Sequence, residues 1–389
     1  MIGQSLGRSI LLNCERVKRH TPPKVIDLLN GIPAPYKFRL LRKLKLALFE
    51  ESKEFDINHP KPIQKSCQSA AKLELLILVP HFYSNSWEPG TGNFFFEIYR
   101  SAMERYPSAT IELVFAKKND SSWIIEVVKI LSLNPGMSLL ANTEKDPSEE
   151  YDWNFEILIG QLREFWTGGL LAIMFDSVWE EFLIRNLYLS KIVPRVKIIA
   201  IDRDISQYFP RRVRTAGPTL LPISKESIDL LVELSSNQAF SYRLTFLGKI
   251  YDYRRNELRV IKSFCPELSI NPRLPNSGDY SYQEYFKTLA SSRFSLNLSR
   301  ANAQNVKQLK CRVLEAALAG SVVATDERKW MSKFFEKDEY IYIASAHELQ
   351  TDRIYCSAQA DYQKIREKSF LRAKALAPSA FWETVESLQ

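Results

Sequence analysis

From residue 73 onward the sequence repeats one pattern, a short apolar run followed by a segment long enough for a helix. The runs are LELLILVP, TIELVFA, FEILIG, LLAIMFD, VKIIAID and TLLPI, and then YRLTFLG, ELSI, RFSLNLS, SVVAT and EYIYI. Continuous runs of Ile, Leu and Val are typical of strands in parallel sheets that helices cover on both faces. The pattern predicts an α/β protein with two Rossmann-like, doubly wound parallel-sheet domains that face a cleft.

Changes in this pattern set the predicted domain boundaries. Residues 1–70 are basic, contain several prolines and lack a strand signal, so they are predicted to be a helical extension. The first α/β domain is predicted over residues 71–236 and the second over 237–377. Pro378 separates two helical patterns, and the last one (378–389) is predicted to return to the first domain.

Composition limits the partners and the compartment. The 389-residue chain carries a net charge of +8, which favours anionic ligands such as phosphorylated small molecules or acidic membrane surfaces. Its five cysteines are scattered without a CxxC pair, and its four histidines do not cluster, so we expect neither a disulfide framework nor a metal site. Without a signal peptide or an apolar run of ~20 residues, the chain is predicted to be cytoplasmic.

Residues 36–50 form one basic amphipathic segment, in which three leucines share a helical face (Leu41, Leu44 and Leu48). One interpretation is a helix that lies on an anionic membrane surface, which would place the protein peripherally at the inner face of the membrane. The other is a solvated helix whose leucines dock on the main body.

Polar residues of the second domain gather where strands are predicted to end, and ligands of open parallel sheets bind there. The candidate ligand-binding residues are Gly248, Lys249, Arg254, Asn297, Ser299, Lys310, Arg312, Glu315, Thr325, Asp326 and Glu327. Glycine allows a phosphate to approach the backbone, and Lys, Arg and a helix N-terminus would neutralise its charge. The set predicts a phosphate-and-sugar site. Alternatively, Arg312 and Glu315 pair with each other on an exposed helix face.

In the second domain, a single helix is predicted between the third strand, RFSLNLS, and the fourth, SVVAT. Apolar residues recur at helical spacing, and Gly320 supplies the left-handed residue that ends the helix. The apolar stripe comprises Val306, Leu309, Val313 and Ala317, and a second stripe comprises Gln308, Arg312 and Glu315.

The region from Tyr242 to Leu349 resembles the donor-binding domain of GT-B glycosyltransferases, above all the group-1-type bacterial families, and in part the exostosin-like enzymes. The motif residues are Tyr285, Leu289, Ser292, Phe294, Leu296, Asn297, Ser299, Arg300, Arg312, Glu315, Ala316, Gly320, Thr325, Asp326, Glu327, Phe334 and Phe335. The resemblance implies a nucleotide-sugar donor, with Glu315 on the ribose hydroxyls and Lys249 and Arg254 on the diphosphate. It implies no other cofactor.

The chain departs from this pattern at one position. Retaining enzymes of the related superfamily often carry a second glutamate eight residues before the first, and Lys307 stands there in this chain. This departure leaves the stereochemical course of the transfer open.

The first domain is then expected to bind the acceptor, which would be a glycan, a lipid-linked molecule or a small molecule. The loop in VPHFYSNSWEPGTGNFFFEI contains Gly90 and Gly92 and is predicted to admit the acceptor. His81 and Asp176, at two predicted strand ends, are the candidate general bases for the acceptor hydroxyl.

Two other interpretations are open, and two further classes of protein are not expected. Asp202-x-Asp204 has the DxD form with which GT-A enzymes hold a metal, although basic neighbours favour coincidence, with Asp204 capping the next turn. A non-catalytic sugar- or nucleotide-binding protein of glycan assembly could keep the same fold. Nucleic-acid binding and dinucleotide-dependent redox chemistry are not expected, because no RNP-like, zinc-finger or GxGxxG motif is present.

Overall fold

The computed structural model describes residues 73–80, 86–117, 120–144, 151–177, 179–193, 195–236, 239–272, 280–300, 307–349 and 359–388. The strands are β1 Glu74–Val79, β2 Thr110–Phe115, β3 Ser138–Asn142, β4 Leu170–Met174, β5 Val196–Ala200, β6 Arg214–Ala216, β7 Tyr242–Phe246, β8 Leu268–Ile270, β9 Ser292–Asn297, β10 Val322–Thr325 and β11 Ile341–Tyr342. The α-helices are α1 Phe94–Arg105, α2 Ser122–Leu133, α3 Tyr151–Leu162, α4 Glu180–Ile192, α5 Lys225–Ser236, α6 Asp252–Phe264, α7 Tyr282–Ala290, α8 Arg312–Leu318, α9 Gln359–Leu376 and α10 Ala380–Ser387.

Two parallel sheets confirm the predicted fold class. The first has the strand order β2-β1-β3-β4-β5-β6 and the second the order β11-β10-β9-β7-β8. Strands β1, β3, β4 and β5 are buried almost throughout, because helices cover both faces of the first sheet. The order in which successive strands are added across each sheet reverses between β1 and β3 in the first sheet and between β7 and β9 in the second. In sheets of this kind, the crevice beyond the strand ends at such a reversal is where ligands bind.

Two apolar runs that predicted strands form other structures. The run FEILIG lies in helix α3, where Phe155, Leu158, Ile159 and Leu162 are buried at helical spacing. A run of this length is compatible with either structure, and its flanking residues extend the helical pattern. The run TLLPI is not a strand, and the neighbouring strand β6 precedes it.

Two further corrections concern a strand and a helix start. Strand β3 follows a turn at residues 135–136 and had no counterpart among the predicted strands. The predicted helix before Gly320 is shorter than its apolar stripe, since α8 begins at Arg312. Gln308 and Lys310 therefore lie in an extended segment before the helix, and Val306 lies outside the described residues. Gly320 has the expected positive φ of 73°.

Helix α10 packs on the first domain, and α9 and α10 are separated at Pro378 as predicted. The Trp382 side chain is fully buried, and its indole Nε1 donates to the Ser101 hydroxyl at 2.8 Å. Arg105 donates two hydrogen bonds to Glu386 at 3.0 and 2.9 Å.

Helix α5 lies between the two sheets and contributes to the second hydrophobic core. Its Ile228 and Leu231 pack with Phe286 and Leu289 of α7. The predicted domain boundary at residue 236 falls at the end of this helix and stays a prediction. The amphipathic segment 36–50 lies outside the described residues. Within the described residues, no helix has the length and apolar content needed to cross a membrane.

Candidate functional site

The carboxyl ends of the two sheets face each other, and a direct contact joins them. The backbone N–H of Leu309, in the second domain, donates to the carbonyl oxygen of Asp202 in the first at 2.7 Å. The segments after β3, β4 and β5 supply acidic residues to this cleft, and those after β7 and β9 supply basic ones. The cleft therefore has two walls of opposite charge.

The basic wall starts at the end of β7. Gly248 has a φ of 146°, and a Cβ at this position would overlap a guanidinium nitrogen of Arg312. Its backbone is fixed by two hydrogen bonds with the Asn271 amide, at 2.9 and 3.0 Å. Glycine is thus required here both by conformation and by the close approach of a cation.

Arg254 and Arg312 share one aromatic support. Their guanidinium carbons lie 5.7 and 5.5 Å from the centroid of the Phe246 ring. Arg254 is only 6% exposed and donates to the carbonyl oxygens of Lys249 at 2.8 Å and Arg300 at 2.9 Å. Burial, together with the neighbouring Arg312, lowers the pKa of Arg254.

This positive charge is not neutralised by a direct ion pair. In the described parts of the chain, no salt bridge involves Arg254 or Arg312, and the Nε of each is buried without a hydrogen-bond partner. A buried cation such as Arg254 is costly unless an anion pairs with it, and Arg312 is half-buried beside it. The N-terminus of α6, which begins at Asp252, adds its dipole to the same place. The arrangement suits a diphosphate.

Two lysines of the predicted set differ in their surroundings. Lys249 is exposed at the start of the loop to α6, where it is free to reach a ligand. Lys310 is partly buried, and its amine donates to the side-chain oxygen of Gln308. Burial lowers the pKa of Lys310, and the nearby Asp176 and Asp202 act in the opposite direction.

Glu315 is held by two tyrosines of α7. Its carboxylate accepts hydrogen bonds from the hydroxyls of Tyr282 at 3.1 Å and Tyr285 at 2.8 Å. Burial raises the pKa of Glu315, whereas these hydrogen bonds and Arg312 oppose the change. The alternative of an exposed Arg312–Glu315 ion pair does not describe this arrangement, because the carboxylate is turned to the tyrosines.

The other predicted residues at the ends of β9 and β10 organise the backbone. Asn297 and Thr325 are buried, and the Asn297 amide donates to the Thr325 hydroxyl at 3.0 Å. The backbone N–H of Ser299 donates to the carboxylate of Asp326 at 2.7 Å. Glu327 accepts from the backbone N–H of residue 330 at 2.8 Å. These contacts fix the strand ends from which the ligand-facing residues project.

Asp326 also pairs with Lys307. The ammonium lies 3.6 Å from the carboxylate and donates to the Asp326 carbonyl oxygen at 2.6 Å. The resemblance predicts a second glutamate at position 307. The residue there is a lysine instead, and its ammonium group pairs with Asp326.

The loop with Gly90 and Gly92 is braced on both sides. The backbone N–H of Gly90 donates to the Ser227 hydroxyl at 2.9 Å, and that hydroxyl donates to the buried Glu97 carboxylate. Gly92, with a φ of 73°, lies against the ring of Tyr282 from the second domain. One tyrosine therefore contacts both the loop with Gly90 and Gly92 and the carboxylate of Glu315.

The acidic wall of the cleft comprises Glu144, Asp176 and Asp202, at the ends of β3, β4 and β5. Asp176 Oδ1 accepts from the Gln308 amide at 2.8 Å, and Oδ2 accepts from the indole of Trp179 at 2.9 Å. Glu144 accepts from the backbone N–H of Asp176. Burial, together with the charges of Asp176 and Asp202, raises the pKa of Glu144 to about 8.

Asp202 and Asp204 have separate roles. Asp202 is 2% exposed and accepts from the Ser177 backbone N–H at 3.0 Å and from the Gln308 amide at 2.6 Å. Burial raises the pKa of Asp202 to about 6. Asp204 is exposed and accepts from the backbone N–H of Ser206 at 2.9 Å, which is the predicted cap.

No group of three or more His, Cys, Asp and Glu side chains within the described residues is arranged to hold a metal ion. The candidate base His81 lies outside those residues. Sequence reasoning missed Glu144, Tyr282 and Gln308 as site residues. Each lies at or near a strand or helix end that faces the cleft, which is the signal that could have found them.

The comparisons with known proteins agree with this geometry. The second domain matches a family model described as glycosyl transferase-like over residues 229–376. The comparison with curated proteins gives no match. A solved alpha-glucosyltransferase, in complex with UDP and a 13-mer DNA containing a HMU base, superposes with a TM-score of 0.54 at 14% identity, over 82% of this chain and 100% of that chain.

A second structure of an alpha-glucosyltransferase, in complex with UDP, gives a TM-score of 0.51 at 12% identity, over 81% of this chain and 99% of that chain. At these identities the likeness shows the fold, which is the two-domain GT-B fold.

Proposed function

We propose that this chain, a glycosyltransferase with the GT-B fold, transfers a sugar from a UDP-linked donor to a hydroxyl group of a carbohydrate acceptor. The observation that carries the donor proposal is a pair of guanidinium groups beside Gly248, the buried Arg254 and the half-buried Arg312, with no salt-bridge partner among the described residues. UDP is the nucleotide present in both of the superposed alpha-glucosyltransferases.

The donor would lie across the end of the second sheet. Arg254, Arg312 and Lys249 would pair with the diphosphate, and Glu315 would accept hydrogen bonds from the ribose hydroxyls. When the bond between the sugar carbon and the phosphate oxygen breaks, negative charge develops on UDP. Cations that are already in place stabilise that charge without reorganising during the reaction.

The acceptor would lie against the first domain. Phe94 and Phe175 form a stacked pair with centroids 5.5 Å apart, both partly exposed, and Phe175 immediately precedes Asp176. An aromatic surface of this kind suits the apolar face of a sugar ring. Asp176 would accept the proton of the acceptor hydroxyl as the new bond to the sugar carbon forms.

The alternative of a metal held by Asp202-x-Asp204 has less support. Asp202 faces Gln308 and Ser177, whereas Asp204 caps a turn. We propose that the arginines neutralise the diphosphate in place of a divalent ion. Turnover that continues in excess EDTA is the expected result, and turnover restored only by Mn²⁺ and abolished by Asp202→Ala would support the alternative.

Calorimetric titration with UDP, GDP, ADP and CMP tests the donor assignment. We expect UDP to bind and Arg254→Met to weaken that binding roughly tenfold to a hundredfold, as for a lost charge-assisted hydrogen bond. Arg259→Met is the matched control, because Arg259 is exposed on the same helix and its guanidinium donates to the Asn256 side chain. An equal loss in both variants, or no binding of any nucleotide, would overturn the assignment.

The acceptor is tested with UDP-sugars and mixed acceptors, with product mass as the readout. Oligosaccharides are the expected acceptors, and Phe175→Ala should raise the acceptor KM while leaving the UDP affinity unchanged. A DNA acceptor that contains a hydroxymethylated base belongs in the same panel, because one superposed enzyme was solved with such a DNA. Transfer to that DNA would contradict the prediction that nucleic acid is not a partner.

A further inference from the structure

One side chain joins the two walls of the cleft. Gln308 belongs to the second domain and is 1% exposed, yet its amide nitrogen donates to Asp176 Oδ1 at 2.8 Å and to Asp202 Oδ2 at 2.6 Å in the first domain. A primary amide nitrogen has two hydrogens, so one is available for each carboxylate. The adjacent backbone N–H, at Leu309, donates to the Asp202 carbonyl oxygen.

The orientation of this amide is fixed by chemistry. Lys310 can only donate a hydrogen bond, and its amine lies on the side-chain oxygen of Gln308. The nitrogen of Gln308 must therefore face the two carboxylates. Because the second Asp176 oxygen already accepts from Trp179, Gln308 completes the hydrogen bonds that aim the Asp176 carboxylate.

We propose that Gln308 is a positioning residue that presents the Asp176 carboxylate to the acceptor only when the donor-binding domain is closed against the first domain. The proposal rests on the proposed role of Asp176 as the general base. Gln308 follows strand β9 and precedes helix α8, which carries Arg312, so it moves with the donor site. Closure of the two domains therefore also aligns the Asp176 carboxylate.

This role requires a side chain that is uncharged and can donate hydrogen bonds. Two carboxylates, those of Asp176 and Asp202, accept hydrogen bonds from Gln308 across the interface, and the Glu144 carboxyl group lies next to Asp176. A lysine at position 308 would neutralise the base, and a glutamate would repel it. Other charged or titratable groups near the contact are Lys310, Cys311, Arg203, Tyr253, Arg254 and Arg312.

The test uses Gln308→Glu and Gln308→Leu in the full-length protein, with Gln283→Glu as the control. Gln283 is exposed on α7 of the same domain, so the control repeats the chemical change away from the interface. Both Gln308 variants should lower kcat roughly tenfold to a hundredfold and leave the Kd of UDP unchanged. Small-angle X-ray scattering should show a larger radius of gyration for them, and the control should match the wild type.

The pH profile separates positioning from a general loss of structure. The carboxyl group introduced by Gln308→Glu can donate one hydrogen bond once it is protonated. The scattering radius of Gln308→Glu should therefore return towards the wild-type value as the pH falls, whereas that of Gln308→Leu should not. The proposal is overturned if either variant keeps the wild-type radius and kcat, or if the kcat loss comes with an equal loss of UDP affinity.

The variant Asp176→Asn distinguishes failure of the positioning proposal from failure of the proposed function. Asp176→Asn should abolish turnover if Asp176 is the base. If Asp176→Asn stays active while the Gln308 variants open the cleft, the base assignment fails and the positioning proposal falls with it. If Asp176→Asn is inactive and the Gln308 variants are unaffected, the proposed function stands and only the positioning role is wrong.

Discussion

Replacing Gly92 by alanine would place a methyl group against Tyr282, across the interface between the domains. The new Cβ would lie 2.5, 2.8 and 2.9 Å from three ring carbons, so the tyrosine or the loop has to move. Gly92 also has a φ of 73°, a conformation that costs an L-residue about 1–2 kcal/mol.

The two costs add. Moving the Tyr282 ring disturbs its 3.1 Å hydrogen bond to Glu315, which contributes about 1 kcal/mol. We therefore expect Gly92→Ala to lower the free energy of unfolding by about 2–3 kcal/mol. A urea titration followed by circular dichroism measures this difference.

Gly136→Ala is the matched control. A Cβ at Gly136 would meet nothing within 4 Å, and its φ is not positive, so the change should be within about 0.5 kcal/mol of zero. In a Tyr282→Ala background, Gly92→Ala should cost only its backbone part, which leaves a coupling of about 1 kcal/mol between the two sites. Equal effects of the two glycine substitutions, or an unchanged Gly92→Ala cost without the tyrosine, would refute the reasoning.

Three further predictions concern the acidic wall, the C-terminal helix and one surface pair. The pKa of Glu144 is raised to about 8, so the folded chain holds this proton more tightly than the unfolded one, and stability falls as the pH rises towards 8. Between pH 6 and 8, above the folded pKa of Asp202, urea titrations should show the wild type losing about 2–3 kcal/mol relative to Glu144→Gln. Trp382→Phe removes the hydrogen bond to Ser101 and leaves a cavity, so we expect the thermal midpoint to fall by several degrees, whereas an unchanged midpoint would mean that α10 adds little to the first domain. Lys307→Ala breaks an ion pair whose lysine side chain is 45% exposed, and a urea titration should show a change of less than about 1 kcal/mol.

The fold could be predicted because a strand that is buried on both faces has a continuous run of apolar residues in its sequence. Runs such as LLAIMFD and VKIIAID have no room for a polar alternation, and both form central strands. The run FEILIG shows the limit of that argument. It is also rich in apolar residues, but its buried residues Phe155, Leu158 and Ile159 follow the 3.6-residue period of a helix, which continues to Leu162.

The basic side of the site could be predicted because its residues follow strand ends within short distances of sequence. Gly248, Lys249 and Arg254 are near neighbours in the chain, and their residue types suit a phosphate. The acidic side could not be predicted in the same way. Asp176 and Gln308 are 132 residues apart, and only the packing of two domains brings them within hydrogen-bond distance.

Glu315 shows why residue type alone gave an incomplete account. A glutamate three residues after Arg312 is compatible with an ion pair, yet the carboxylate is held by two tyrosines from another helix. The tyrosine Tyr282 then continues to Gly92 in the other domain. Tyr282 therefore connects Glu315 with the loop that contains Gly92, and no local sequence pattern identifies this tyrosine.

The two walls of the cleft keep their separate charges because the hydrogen bonds described between them come from neutral groups, the amide of Gln308 and the backbone N–H of Leu309. If the arginines of the basic wall paired directly with the carboxylates of the acidic wall, the closed state would neutralise both the proposed diphosphate site and the proposed base. Gln308 and Tyr282 instead join the domains by hydrogen bonds and packing. Among the described residues no salt bridge joins these arginines to Asp176, so the contacts between the domains leave in place the charges that the proposed chemistry uses.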